Sequence, residues 1–121
     1  MTPAQFRRLA LSYPGAVEGS HMGHADFRVG GKVFATLGYP DEKFAMVKLS
    51  PQDQILIIRD HAAVFAPAAG NWGASGSTLV TLAGASVRAV APALEAAWRE
   101  RASKTLVAEF ENRPAVRRPA R

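Results

Sequence analysis

Residues 26–38, DFRVGGKVFATLG, restrict the fold more than any other stretch of the chain. Gly30 and Gly31 can both take the positive φ that a two-residue hairpin turn demands. Phe27 and Val29 point one way before the turn, and Val33, Ala35 and Leu37 alternate after it, as in a strand pair with one buried face. A second turn at Pro40–Lys43 leads to a third strand, FAMVKL (44–49), and TLVTL (78–82) reads as a fourth. The chain therefore holds a three-stranded antiparallel meander plus at least one further strand.

Three helices are expected beside it. Thr2 can cap the first, Pro3 suits its first position and Gln5 closes a capping box. Phe6, Leu9, Ala10 and Tyr13 share its apolar face, and Pro14-Gly15 stops it. Ser50-Pro51-Gln52-Asp53 opens the second, which runs to about Asp60 with Ile55, Leu56 and Ile58 inward and Ile57 widening the stripe. Gly84-Ala85-Ser86 turns into the third, with Val87, Val90, Leu94 and Trp98 on one face. Its periodicity lasts to about Glu109, and Pro92 either starts or kinks it. Residues 16–25 and 61–77 read as loops, the second long enough to suspect a function. The fold class is α+β, an antiparallel sheet packed against three helices, in one domain over 1–110. Residues 111–121, with Pro114 and Pro119 and no apolar periodicity, are expected to form a basic, disordered tail.

Composition narrows the chemistry. The absence of cysteine removes disulfides, thiolate zinc sites, iron–sulfur clusters and cysteine nucleophiles. Arg7 and Arg8 interrupt the N-terminal apolar positions, so no secretory signal is read, and no run approaches the ~20 apolar residues of a membrane span. A cytoplasmic protein is expected. The net charge of +5 favours polyanionic partners, but the last nine residues contain four arginines and no acid. Without them the chain lies within one charge of neutrality.

Several residues are candidates for a site. Arg28, Lys32 and Lys43 flank two successive turns and could contact phosphates, though lysines at strand edges also block sheet-to-sheet aggregation. Lys48 shares a strand face with Phe44 and Met46, so it is expected to be half-buried and paired with Asp26 or Glu42. His21 and His24 form a His-x-x-His pair, but zinc needs more ligands, and no spacing rule recruits Asp26 or His61; no metal is expected. Trp72 is read as closing the core, with base stacking as the alternative, and Trp98 as core. The segment GNWGASG (70–76) lacks the Gly-Lys-Ser/Thr ending of a phosphate loop and leads into a strand. No serine has the nucleophile-elbow spacing and no acid pair is placed for proton transfer, so neither catalysis nor a cofactor is expected.

Four stretches in order carry a family resemblance: SHMGHADFRVGGKVFATL, MVKLSPQDQ, VFAPAAGNWGASGSTLVTL and AAWRERASKTLVAEF. Over about Leu9 to Phe110 the chain resembles the MmcQ/YjbR family. The resemblance implies an α+β fold similar to that of CyaY-like proteins, and DNA binding through a double wing of hairpins. Where the family has Ala-Pro-Lys-Arg, this chain has Ala102-Ser103-Lys104-Thr105, so Lys104 carries over as a phosphate contact and its basic neighbour does not. The expectation is a non-enzymatic DNA-binding protein in which Arg28, Lys32, Lys43 and Lys104 take phosphates and the arginine tail adds nonspecific attraction, with a stacking Trp72 as the alternative to its core role. The alternative is a small-molecule or protein-interaction module, with a pocket between the sheet and residues 71–77 lined by His21, Phe27, Lys48 and Trp72.

Overall fold

The paired glycines turn the chain as their freedom allows. In the computed structural model, which describes residues 1–113, Gly30 and Gly31 have φ of 59° and 78°. Among the described residues the strands are β1 (Val17–His21), β2 (His24–Val29), β3 (Lys32–Leu37), β4 (Phe44–Lys48), β5 (Phe65–Pro67) and β6 (Ser77–Thr81). They form one open antiparallel sheet in the order β1-β2-β3-β4-β6-β5. The helices are α1 (Pro3–Ala10), α2 (Pro51–Asp60), α3 (Gly70–Ala74), α4 (Val87–Arg101) and α5 (Lys104–Glu111). The class is thus α+β, with five helices where three were expected.

The caps form as the sequence specifies. Thr2 Oγ1 accepts from the Gln5 amide while Gln5 Oε1 accepts from the Thr2 amide, and Ser50 and Ser86 cap α2 and α4. Three readings are corrected, and the alternative left open at Pro92 is resolved. Residues 16–25 are not all loop, because β1 pairs with β2 along the whole of Val17–His21 through backbone bonds that need no apolar pattern. Residues 61–77 hold β5 and α3. The helical signal after Ser86 is two helices, because Ala102 takes extended backbone and Ser103 caps α5 through the Leu106 amide. Pro92 lies inside α4 rather than at its start. The basic tail falls mostly outside the described residues.

α2 is also rotated from the expected orientation. Ile55 is 67% exposed and Leu56 is exposed, while Gln54 is buried. The Gln54 amide explains this: Nε2 donates to Gly73 O (3.0 Å), Thr78 Oγ1 (3.0 Å) and Ser77 O (3.2 Å). A buried amide with acceptors on two other elements fixes the helix, and Ile57 and Ile58 make the remaining apolar contact.

Alternation along the strands sorts residues onto two sheet faces. Phe27, Ala35, Val47 and Val80 face the helices, where α4 lies across β3 and β4. Phe34 is the extra residue of a bulge, since Phe27 pairs with Ala35 and Arg28 with Val33, and it too is buried in the core. Trp98 is fully buried against Tyr13 and Phe110, at centroid distances of 5.6 and 5.3 Å, and its Nε1 donates to Pro14 O. Each such side chain contributes roughly 1.5–3 kcal/mol through burial. The other face carries Asp26, Thr36, Met46 and Lys48 in register across β2, β3 and β4. Among the described residues no helix is long and apolar enough to cross a membrane.

Candidate functional site: a cationic cleft on the open sheet face

The open face holds a cleft of 570 Å³. One wall is a chain of rings: His24 lies edge-on to Tyr39 (5.7 Å), and Tyr39 lies 6.0 Å from Trp72. Thr36 and Met46, opposite each other in the β3–β4 register, line it, and Lys48 and Arg101 bring two cations. No Asp or Glu is among its lining residues.

Close backbone approaches hold α3, and with it Trp72, over the sheet. A Cβ on Gly73 would lie 1.8 Å from Ala68 O, and one on Gly76, at φ +115°, would lie 1.8 Å from Leu49 O. No side chain fits at either position. Together with the three Gln54 bonds, these approaches set the short helix from which Trp72 projects, 59% exposed. Arg101 Nη1 donates to Lys48 O at 3.0 Å, which brings the guanidinium to the end of β4. Burial disfavours its charge and lowers its pKa below the ordinary arginine value, with Glu100 acting the other way.

Beside the cleft lies a polar cluster built around Asp26, whose carboxylate is fully buried. Arg28 grips it with two bonds, Nε to Oδ1 at 2.7 Å and Nη2 to Oδ2 at 2.9 Å, and His21 Nδ1 meets Oδ2 at 2.7 Å. The Arg28 bonds, aided by His21 and opposed by burial, hold the Asp26 pKa below the usual carboxylate value, and Asp26 in turn raises that of Arg28. Gly19, opposite Asp26 in register, leaves room for the pair: a Cβ there would lie 3.0 Å from Asp26 Oδ1 and 3.1 Å from Arg28 Nε.

The structure brings His21, Lys48 and Trp72 together on the cleft and excludes Phe27. Phe27 belongs to the opposite face, fully buried and 6.1 Å from the Phe6 ring. It is adjacent in sequence to Asp26, and the strand period turns neighbours to opposite faces. Trp72 does not close the core; the ring that does is Trp98. Lys48 is half-buried but pairs with neither Asp26 nor Glu42, because Asp26 is already held by Arg28 and His21. Arg28 is committed to that same carboxylate. Lys32 and Lys43 are exposed, and successive turns of a meander lie at opposite ends of its sheet, so β3 separates them. Lys104 is exposed at the start of α5. Tyr39, Met46 and Arg101 complete the cleft without having been singled out from sequence; only the strand parity of Met46 with Lys48 pointed towards it. A second hollow, of 390 Å³, is lined by Asp53, Glu95, Glu100 and Arg99, and there Arg99 already bonds Glu95.

An open antiparallel sheet, with α4 across one face and a ring-walled cationic cleft on the other, defines an α+β protein. The chain belongs to the YjbR family, whose model matches residues 11–100. Its fold is also that of a Deinococcus radiodurans protein, DR2400, whose crystal structure carries the domain DUF419. That structure aligns with a TM-score of 0.68 over 91% of this chain and 88% of the other, at 17% identity. No curated protein matches the chain.

Proposed function

We propose that the protein binds small aromatic anions in the cleft on the open sheet face. One observation supports this most: Lys48 and Arg101 line a cleft without acidic lining residues, and neither has an ion-pair partner among the described residues. Partly desolvated cations gain most from an anion that supplies directed acceptors, such as a carboxylate or phosphate. The Tyr39 and Trp72 rings offer a planar ligand about 0.5–1.5 kcal/mol per well-placed ring contact beyond area burial. The volume also falls in the range of roughly 300–1,000 Å³ usual for small-molecule sites. Titration of 2-naphthoate followed by amide NMR tests the reading. Saturable shifts around Met46, Lys48 and Trp72 are expected, with the neutral analogue 2-naphthalenemethanol binding at least tenfold more weakly. Equal binding of the two, or shifts confined to the Gly30-Gly31 turn, would overturn it.

The family resemblance supports a second reading, DNA binding through hairpin wings, and the net charge of +5 favours it. The committed Arg28 and the placement of Lys32 and Lys43 at opposite ends of the sheet favour it less. A six-residue strand spans about 20 Å. Duplex binding that is tight at low salt and abolished by Lys32→Glu with Lys43→Glu would establish the wings. Binding indifferent to that pair would count against them.

A further inference from the structure

We infer that His21, locked by Asp26, is a specificity-determining residue that accepts a hydrogen bond from the ligand, so that the preferred ligand is an aromatic anion bearing a hydroxyl or amino donor away from its charged end. The inference rests on the cleft reading above and deepens it. The geometry begins with Asp26. As a buried carboxylate gripped by Arg28 it is ionised and can only accept hydrogen bonds. The 2.7 Å contact to His21 Nδ1 therefore requires the proton on Nδ1. Nε2 then carries the lone pair in the neutral ring, and among the described residues it has no partner. His21 lines the cleft with its side chain about half exposed, 48%. A histidine whose second nitrogen is fixed in this way presents a defined acceptor rather than an adaptable one.

Asp26 is here a positioning residue acting through His21. The remaining groups of the cleft supply donors and charge: Lys48 and Arg101 donate only, and Thr36 and Tyr39 hydroxyls can do either. His24 also lines the cleft, but among the described residues no carboxylate fixes its ring, so His21 Nε2 is the acceptor whose position is defined. A ligand donor aimed at it is rewarded, and a ligand that presents a second acceptor there meets a lone pair.

Two measurements test this separately. Long-range ¹H–¹⁵N NMR at pH 8 reads directly which ring nitrogens of His21 carry protons in the wild-type protein without ligand. The protonated Nδ1 form is expected, and a protonated Nε2 would overturn the inference while leaving the cleft reading intact. Calorimetry then compares 6-hydroxy-2-naphthoate with 6-methoxy-2-naphthoate, 2-naphthoate serving as the size control. The hydroxy probe is expected to bind about tenfold more tightly than the methoxy probe, and His21→Phe to reduce that ratio below about twofold. An undiminished ratio in His21→Phe overturns the inference. If no naphthoate binds the wild-type protein, the cleft reading and this inference both fall. In Asp26→Asn the carboxamide can donate to Nδ1, so the tautomer should reverse and the hydroxy preference should vanish. The wild-type tautomer and the wild-type ratio of hydroxy to methoxy affinity test the inference even if that variant does not fold, and equal affinity for the two probes would overturn it.

Discussion

Asp26 and Phe27 are neighbours on β2, and neither has any exposed surface. Phe27 is buried among apolar rings on the helix face, and Asp26 is buried under Arg28 and His21 on the open face. Equal burial thus conceals opposite physics. The helix face is held by area removed from water, which is indifferent to pH. The open face is held by ionised groups whose bonds fail if the proton count changes. The contrast places the buried polar groups on the open face, with Lys48 and Arg101 beside them, where the proposed binding site lies.

Substitutions on the two faces should break this comparison in different ways. The largest effect is expected on the helix face. Phe27→Ala should cost about 3–5 kcal/mol in urea unfolding, with no dependence on pH. Asp26→Asn should cost less, about 1–3 kcal/mol near neutrality, because the Arg28 side chain is partly exposed. Its pH signature is the sharper test. The folded pKa of Asp26 is depressed, so its contribution is complete above the ordinary carboxylate value of 3.8 and is lost as pH falls through the folded value. The stability gap between wild type and Asp26→Asn should therefore narrow below about pH 4, and a gap constant from pH 7 to pH 2 would contradict the assignment. Gln54→Ala should cost about 1–2 kcal/mol and weaken 2-naphthoate binding, since it releases α3 and with it Trp72. Smallest in stability is Lys48→Met, expected within about 0.5 kcal/mol of wild type. Its signature is instead a loss of naphthoate affinity of tenfold or more by calorimetry.

Those elements whose signals are local were legible in the sequence. The Thr2–Gln5 capping box, the Ser50-Pro51 start and the Gly30-Gly31 turn each declare themselves within a few residues, and each forms as read. β1 escaped because Val-Glu-Gly-Ser-His has no apolar alternation; as an edge strand it is held by backbone bonds to β2. β5 and α3 are too short, at three and five residues, to establish a period. Ile55 and Leu56 were misplaced because a polar residue, Gln54, takes the inward position, and only its distant acceptors on Gly73, Ser77 and Thr78 justify that. In the site, His21, Lys48 and Trp72 were visible through the family pattern. Arg101 and Tyr39 were not, since they reach the cleft from segments 53 and 9 residues away from Lys48 in sequence. The error at Phe27 was one of parity.

The central claim is that the open face, and not the hairpin tips, receives an anion. A crystal soaked with 6-bromo-2-naphthoate tests it most directly, because bromine is located by its anomalous signal. The account predicts the carboxylate against Lys48 and Arg101, and the bromine towards His21 along the Tyr39–Trp72 wall. A bromine peak only at the Gly30-Gly31 turn, or in the hollow beside Asp53 and Glu95, would contradict it.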